Sequence, residues 1–316
     1  MNLTRRNVLL GATVVVPGAL VLGRWNEDKP TSAASSSRAV ARVLASEPTV
    51  EGAGVHLKRA LGGRALSVLD PFLLLDEFQS DDPNDYLAGF PDHPHRGFET
   101  VTYMIDGAME HKDNVGNHGR LGPGSAQWMT AGHGIVHSEM PKQERGLMWG
   151  FQLWVNLPSA RKMIKPRYQD IPPNWIQELA LDRARVRVVA GSAFGVTGPV
   201  QGIDVDPVFV DLALERGART ELALTSGHSA FAYVTDGSVR LGSDAREVSR
   251  GQLAVLTREG DGLTLACDSN GARVIVVAGR PIGEFVARRG PFVMNTQAEL
   301  DRAFEEFRAG TLTSGV

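Results

Sequence analysis

Two short motifs constrain this chain more than any other feature. They are His93-Pro94-His95 and, 42 residues past His95, His137-Ser138-Glu139. Each places two metal-ligand side chains at i and i+2. Successive side chains of a β-strand point to opposite faces, so residues two apart share one face. A helix does not give that juxtaposition. Two such strands facing across a barrel would bring three imidazoles and one carboxylate together. That donor set suits a borderline transition metal: Fe, Mn, Co, Ni, Cu or Zn. Six of the eight histidines (His93, His95, His111, His118, His133, His137) fall within one 45-residue stretch.

The composition fits an all-β reading. The 316 residues include 35 Gly and 17 Pro, which implies frequent turns and short strands. Length alone allows about two domains of ordinary size. The balance of 33 basic and 36 acidic residues gives a net charge of −3. Such a chain has no basic footprint for nucleic acid and no polybasic membrane patch. Cys267 is the sole cysteine, in the strand-like segment Leu263-Thr-Leu-Ala-Cys267. A disulfide within the chain is impossible, and the thiol reads as buried rather than catalytic.

Residues 1–37 read as a targeting segment and linker. Thr4-Arg5-Arg6-Asn7-Val8-Leu9-Leu10 resembles the twin-arginine translocation motif, with Val8 where that pattern prefers Phe. The uncharged run after it, which contains Pro17, falls short of the ~20 apolar residues of a spanning helix. Ser32-Ala33-Ala34 offers small residues for cleavage, and an uncleaved membrane tether is the alternative. Residues 30–37 are a flexible linker by composition. The expected location is extracytoplasmic, with the protein exported folded and its metal inserted beforehand.

Strand signals then run almost to the end. Phe98 to Ile105 alternates and turns at Asp106-Gly107. Gly146 to Leu157, with Trp149 and Trp154, reads as a core strand. Arg185 to Val189 opens a second β series, in which Phe231-Ala-Tyr233-Val-Thr-Asp236-Gly237 echoes the first half. The expectation is two similar barrels in tandem: residues 38–180 with the metal site, and 181–290 without ligands, its His228 structural or part of a partner surface. Residues 291–316 form a helix and tail. Thr296-Gln-Ala-Glu299 is a capping box, Leu300, Ala303, Phe304 and Phe307 make one apolar face, and Gly310 is a stop.

Longer strings carry a family resemblance. Pro91-Asp-His93-Pro-His95-Arg-Gly-Phe-Glu99-Thr-Val-Thr-Tyr103, then Gly124-Ser-Ala-Gln-Trp128-Met-Thr-Ala-Gly132-His-Gly-Ile-Val-His137-Ser-Glu139, and Gly290-Pro-Phe-Val-Met-Asn295-Thr296 resemble the pirin family of bicupins. The resemblance covers roughly residues 38–310 and implies two cupin (jelly-roll) β-barrels face to face. It implies one divalent metal, iron first, held by His93, His95, His137 and Glu139. It implies dioxygenation of quercetin or a similar flavonol by O2, with carbon monoxide released and Glu139 as general base as well as ligand. The alternative is a non-catalytic, metal- or redox-responsive binding or regulatory protein. A third reading is isomerisation or hydrolysis of another small molecule. The export segment argues against a role in transcription, and a monomer is the default for this family shape. Glu99, which would share strand parity with His93 and His95, competes for a place at the metal. His111 and His133 are candidates for orienting the ligands. Tyr103 and Met129 read as core or pocket wall.

Overall fold

The structure is a computed structural model of the chain, and it describes residues 36–314. The export motif and the first part of the linker lie outside those residues. Among them, no helix is long and apolar enough to cross a membrane.

The described chain forms two antiparallel barrels and one long helix. The first barrel is built from a seven-stranded sheet and a four-stranded sheet. The seven strands run, in spatial order, Arg167–Ile171, Ala126–Thr130, Phe98–Asp106, Met148–Asn156, Phe72–Ser80, Val55–Leu61 and Glu47–Glu51. The four run Phe90–His95, Ile135–Pro141, Met109–Asp113 and His118–Leu121. The second barrel is a single curled ten-stranded sheet with Ser229–Leu241 and Ala272–Gly279 at its centre. Inside it, Val186, Val188, Val210, Leu212, Val274 and Val276 close the core. Aliphatic side chains therefore occupy the interior where the first barrel carries histidines.

The seven-stranded sheet has two apolar faces. One lines the interior of its own barrel. The other, with Leu75, Val101, Tyr103, Phe151 and Leu153, packs against Phe209, Phe231, Tyr233, Ile275 and Val277 of the second barrel. Phe72 meets Phe231 edge-on at 5.4 Å between ring centroids. Burial on both faces explains why Phe72-Leu-Leu-Leu75 reads as a continuous apolar run rather than an alternating one.

The internal echo has a structural counterpart at this interface. Tyr103 of the first barrel donates to Asp211 Oδ2 of the second at 2.7 Å, and Tyr233 of the second donates to Glu77 Oε2 of the first at 2.7 Å. The crossed pairs differ in support. Asp211 also holds Arg273 through two bonds of 2.9 and 2.6 Å. Glu77, 1% exposed, has only the Trp149 indole at 3.0 Å besides Tyr233. Burial pushes the Glu77 carboxyl up, and the two hydrogen bonds oppose it. Removing one donor from a buried charged acceptor costs about 1.5–3 kcal/mol. Tyr233→Phe is therefore expected to destabilise by that amount and Tyr103→Phe by clearly less, as read from the shift of urea unfolding midpoints at constant m.

Strand pairing departs from the expected boundaries at both ends. Val40–Ala45, assigned to the first barrel from sequence order, pairs with Gln252–Leu256 of the second. Ser46, whose amide donates to Gly251 at 2.8 Å, is where the chain crosses over. The last linker residues are also tied down: Ser37 bridges Gly262, and the buried Arg38 guanidinium is held by the carbonyls of Thr225, His228, Thr257 and Gly260. Conversely, the hairpin Ala287–Arg289 and Phe292–Met294 returns to the first barrel, where Val293 packs with Leu73 and Phe98. The helix Gln297–Arg308 follows with the expected Thr296–Glu299 capping box, and Leu300 and Ala303 are buried.

Candidate metal centre

The Phe90–His95 strand carries prolines at 91 and 94 and sits at the edge of the four-stranded sheet, the position where a missing N–H is tolerated. Its neighbour is Ile135–Pro141, and the register sets His93 opposite His137. The two ligand pairs are thus on adjacent hydrogen-bonded strands, not across the barrel from each other as the spacing suggested. Cross-strand neighbours on one face approach within about 5 Å at Cβ, so adjacency converges the side chains at least as well. Ring centroids are 4.4 Å apart for His93 and His137, 4.7 Å for His93 and His95, and 5.0 Å for His95 and His137. The ligand atoms of the three imidazoles all lie within 4.8 Å of one another.

The environment of these rings fits a metal. His137 is 1% exposed and neither ring nitrogen has a hydrogen-bond partner. Two orphaned buried nitrogens on one imidazole are costly unless something else binds them. His95 is packed against Phe98 and Trp154, with centroids at 5.1 and 5.2 Å. Burial, then the neighbouring imidazoles, push His95 and His137 well below the ordinary histidine range. Neutral imidazole is the ligating form.

Glu139, expected as a fourth ligand, falls outside the group whose ligand atoms converge within 4.8 Å, and its carboxylate is held elsewhere. Oε1 accepts from Thr102 Oγ1 at 2.8 Å and Oε2 from Gln152 Nε2 at 2.8 Å. A register irregularity falls between His137 and Glu139, pairing Glu139 with Phe90. Irregularities of this kind re-aim a side chain. Glu139, His93 and His95 line one cavity of about 680 Å³, large enough for a small aromatic ligand.

The other candidates separate cleanly. Glu99 does not continue the face of His93 and His95. Gly97 turns the chain at φ +86, where an added Cβ would collide with the Val293 carbonyl, and Glu99 starts afresh in the other sheet. Its neighbours in strand parity, Val101 and Tyr103, face the second barrel. Glu99 accepts from Thr130 Oγ1 at 2.7 Å, and its second oxygen has no partner. Burial pushes its pKa up to about 7, against the Thr130 bond that lowers it. The folded state thus keeps a proton that the unfolded chain releases between its usual 4.5 and about 7. Stability falls as pH rises through that window, by an amount on the order of 3 kcal/mol when complete. Glu99→Gln is expected to raise Tm at pH 8 and to change it little at pH 4.5, a difference that thermal melting at the two values would check.

His133 belongs to the opposite side of its loop. Its carbonyl accepts from Arg96, which also bonds Leu312 O at 3.0 Å and Glu306 at 2.6 Å, tying the loop to the C-terminal helix. His111 is opposite Glu139 in register, buried, stacked on Tyr168 at 5.2 Å, and 3.4 Å from Asp170 by its Nε2. It lies outside the imidazole trio. Met129 is core, and Tyr103 lies in the layer between the barrels. His228 and Cys267 are buried in the second barrel.

Sequence reasoning missed the rest of the cavity wall. Thr102 and Gln152, which hold Glu139, are ordinary strand residues. Trp154, read as core, lines the cavity. Arg59 is locked to Asp76 by bonds of 2.9 and 2.7 Å and reaches Glu51 at 2.9 Å. Arg288, Gly290 and Pro291 come from the C-terminal hairpin. Strand alternation could have flagged Gln152 and Trp154, since they share a face; nothing local marks Arg288.

Two face-to-face barrels, with an imidazole cluster in only one of them among the described residues, define a bicupin with one candidate metal centre there. The chain belongs to the pirin family: the Pirin profile matches residues 54–155, and the Pirin C-terminal cupin domain profile matches residues 209–313. A pirin-like protein of Caulobacter vibrioides is 47% identical over 86% of this chain and 98% of its own length. A Pseudomonas aeruginosa protein provisionally named quercetin 2,3-dioxygenase is 45% identical over 87% and 98%. The crystal structure of a quercetin 2,3-dioxygenase from Acinetobacter baumannii superposes with a TM-score of 0.82 at 33% identity, covering 88% of this chain and 99% of that one.

Proposed function

We propose that this protein is a metal-dependent dioxygenase acting on a flavonol or similar aromatic enol. The observation that carries the reading is the three-imidazole cluster, two of whose rings, His93 and His95, line with Glu139 a cavity of about 680 Å³. The names of the Pseudomonas and Acinetobacter relatives point the same way. His93, His95 and His137 would hold the ion, with Glu139 as fourth ligand. Three neutral imidazoles and one carboxylate leave room for a guest, which separates a catalytic from a closed site. A divalent transition metal bound there, iron first, supplies Lewis-acid charge that lowers the pKa of the substrate's enolic hydroxyl.

The chain's own groups do the remainder. Glu139, held as an acceptor by Thr102 and Gln152, takes the enolic proton at a carboxylate oxygen. Trp154, Phe78 and Phe90 give the cavity aromatic walls that orient a planar substrate and exclude water from it. The test is anaerobic loading with iron, manganese, nickel or zinc, then quercetin and O2. The expected result is loss of flavonol absorbance with one O2 consumed and one carbon monoxide released per turnover. Retained metal without turnover on any enol would overturn the enzymatic reading.

We also read residues 1–37 as a twin-arginine export segment that delivers the folded, metal-loaded protein outside the cytoplasm. Replacing Arg5 and Arg6 with Lys should leave the protein in the cytoplasmic fraction, and unchanged fractionation would overturn that reading.

A further inference from the structure

The cavity wall holds two guanidinium groups in very different circumstances. Arg59 is neutralised by the bidentate Asp76 pair and by Glu51. Arg288 has one hydrogen bond, to Leu73 O at 2.9 Å, and lies over the Trp154 ring at 4.7 Å. Among the described residues it has no carboxylate within ion-pair distance. Burial pushes its pKa down, and Arg59 adds to that, while Asp76 and Glu51 oppose it. A half-buried guanidinium that lines a cavity and makes a single hydrogen bond is a site for an anionic oxygen. Its fork matches a carboxylate.

Its position relative to the imidazoles places an upper limit on the span of the molecule. Trp154 touches both Arg288 and His95, at 4.7 and 5.2 Å. The guanidinium is thus within about 10 Å of the His95 ring, two successive ring contacts away. Leu57, Leu74 and Phe78 supply apolar walls to the same cavity. We propose that Arg288 is a specificity-determining residue and that the preferred substrate is an aromatic enol carrying a carboxylate on the ring remote from the reacting hydroxyl. The enol end addresses the imidazole cluster, the carboxylate pairs with Arg288, and the aromatic body lies along Trp154. This rests on the proposed metal-enol chemistry for the orientation of the guest, but not for the charge preference itself.

The test is calorimetric titration of the zinc-loaded full chain under nitrogen, so that no turnover intervenes. The probes are 3-hydroxyflavone and its 6-carboxylate. The wild type should bind the carboxylate about ten- to a hundred-fold more tightly, the range of one charged hydrogen-bonded pair. Arg288→Met should bring that ratio close to unity, and Arg288→Lys should retain part of it; thermal melting of both variants shows whether they are folded. Equal binding of the two probes by the wild type overturns the inference without recourse to any variant, as does an unchanged ratio in folded Arg288→Met. Quercetin turnover with no charge preference would sink this inference alone. An intact, Arg288-dependent preference without turnover would sink only the dioxygenase reading.

Discussion

His95→Ala is expected to strip the protein of its metal. Elemental analysis of the purified variant should fall from stoichiometric to background, and flavonol turnover should drop by more than about 100-fold, since even groups that merely orient metal ligands cost 10–100-fold when removed. The expectation follows from the convergence of three imidazoles within 4.8 Å. The substitution removes one of the three imidazoles that converge there, and the ring that His93 and His137 both contact. His111→Ala is the matched control. It removes an equally buried imidazole from the same sheet, yet His111 is outside the cluster. Metal content should survive in that variant. Equal loss in both would mean that the sheet, and not the ligand set, had been damaged.

Glu139→Gln should separate holding the ion from doing the chemistry. Gln keeps the shape of Glu and can accept at one oxygen, so one of the two bonds from Thr102 and Gln152 persists. Three imidazoles are a sufficient protein ligand set for a catalytic site, and metal content should stay near the wild-type value at saturating metal. The group that takes the enolic proton is gone, however, and kcat should fall by about 10²- to 10⁴-fold. Single-turnover decay of flavonol absorbance under O2 reads this directly. A Glu139→Gln enzyme with wild-type kcat would remove Glu139 from the proton transfer.

Much of this site was legible because its signal is local. An i, i+2 pair of ligand side chains names a strand and a face at once, and the same parity rule places Gln152 and Trp154 together. The capping box at Thr296 and Glu299 is likewise a contact between residues three apart, and the helix Gln297–Arg308 begins where it predicts. Parity failed at Glu99 for a specific reason. It is a rule within one strand, and Gly97 ends the strand. Glu99 was thereby reassigned from the metal's surroundings to the buried layer between barrels.

Other features had no local signal. Whether the two ligand strands are neighbours or face each other is a question of hydrogen-bond pairing between segments about 40 residues apart. Assigning Val40–Ala45 to the second barrel depends on Gln252–Leu256, more than 200 residues away. Arg288 reaches the cavity only because its hairpin packs Val293 against Leu73 and Phe98.

From its residues alone the chain determined that it would be β-rich, that its first half would carry three imidazoles and a carboxylate on strand faces, and that its second half would not. Those properties follow from backbone geometry and side-chain chemistry within a few residues. Only the tertiary structure decided that the ligand strands are adjacent, that each barrel is completed by a segment from the far end of the chain, and that an unpaired guanidinium overlooks the cluster. Such choices are made by burial of apolar faces, where many alternative partners have similar local patterns and the packing of the whole interface selects one.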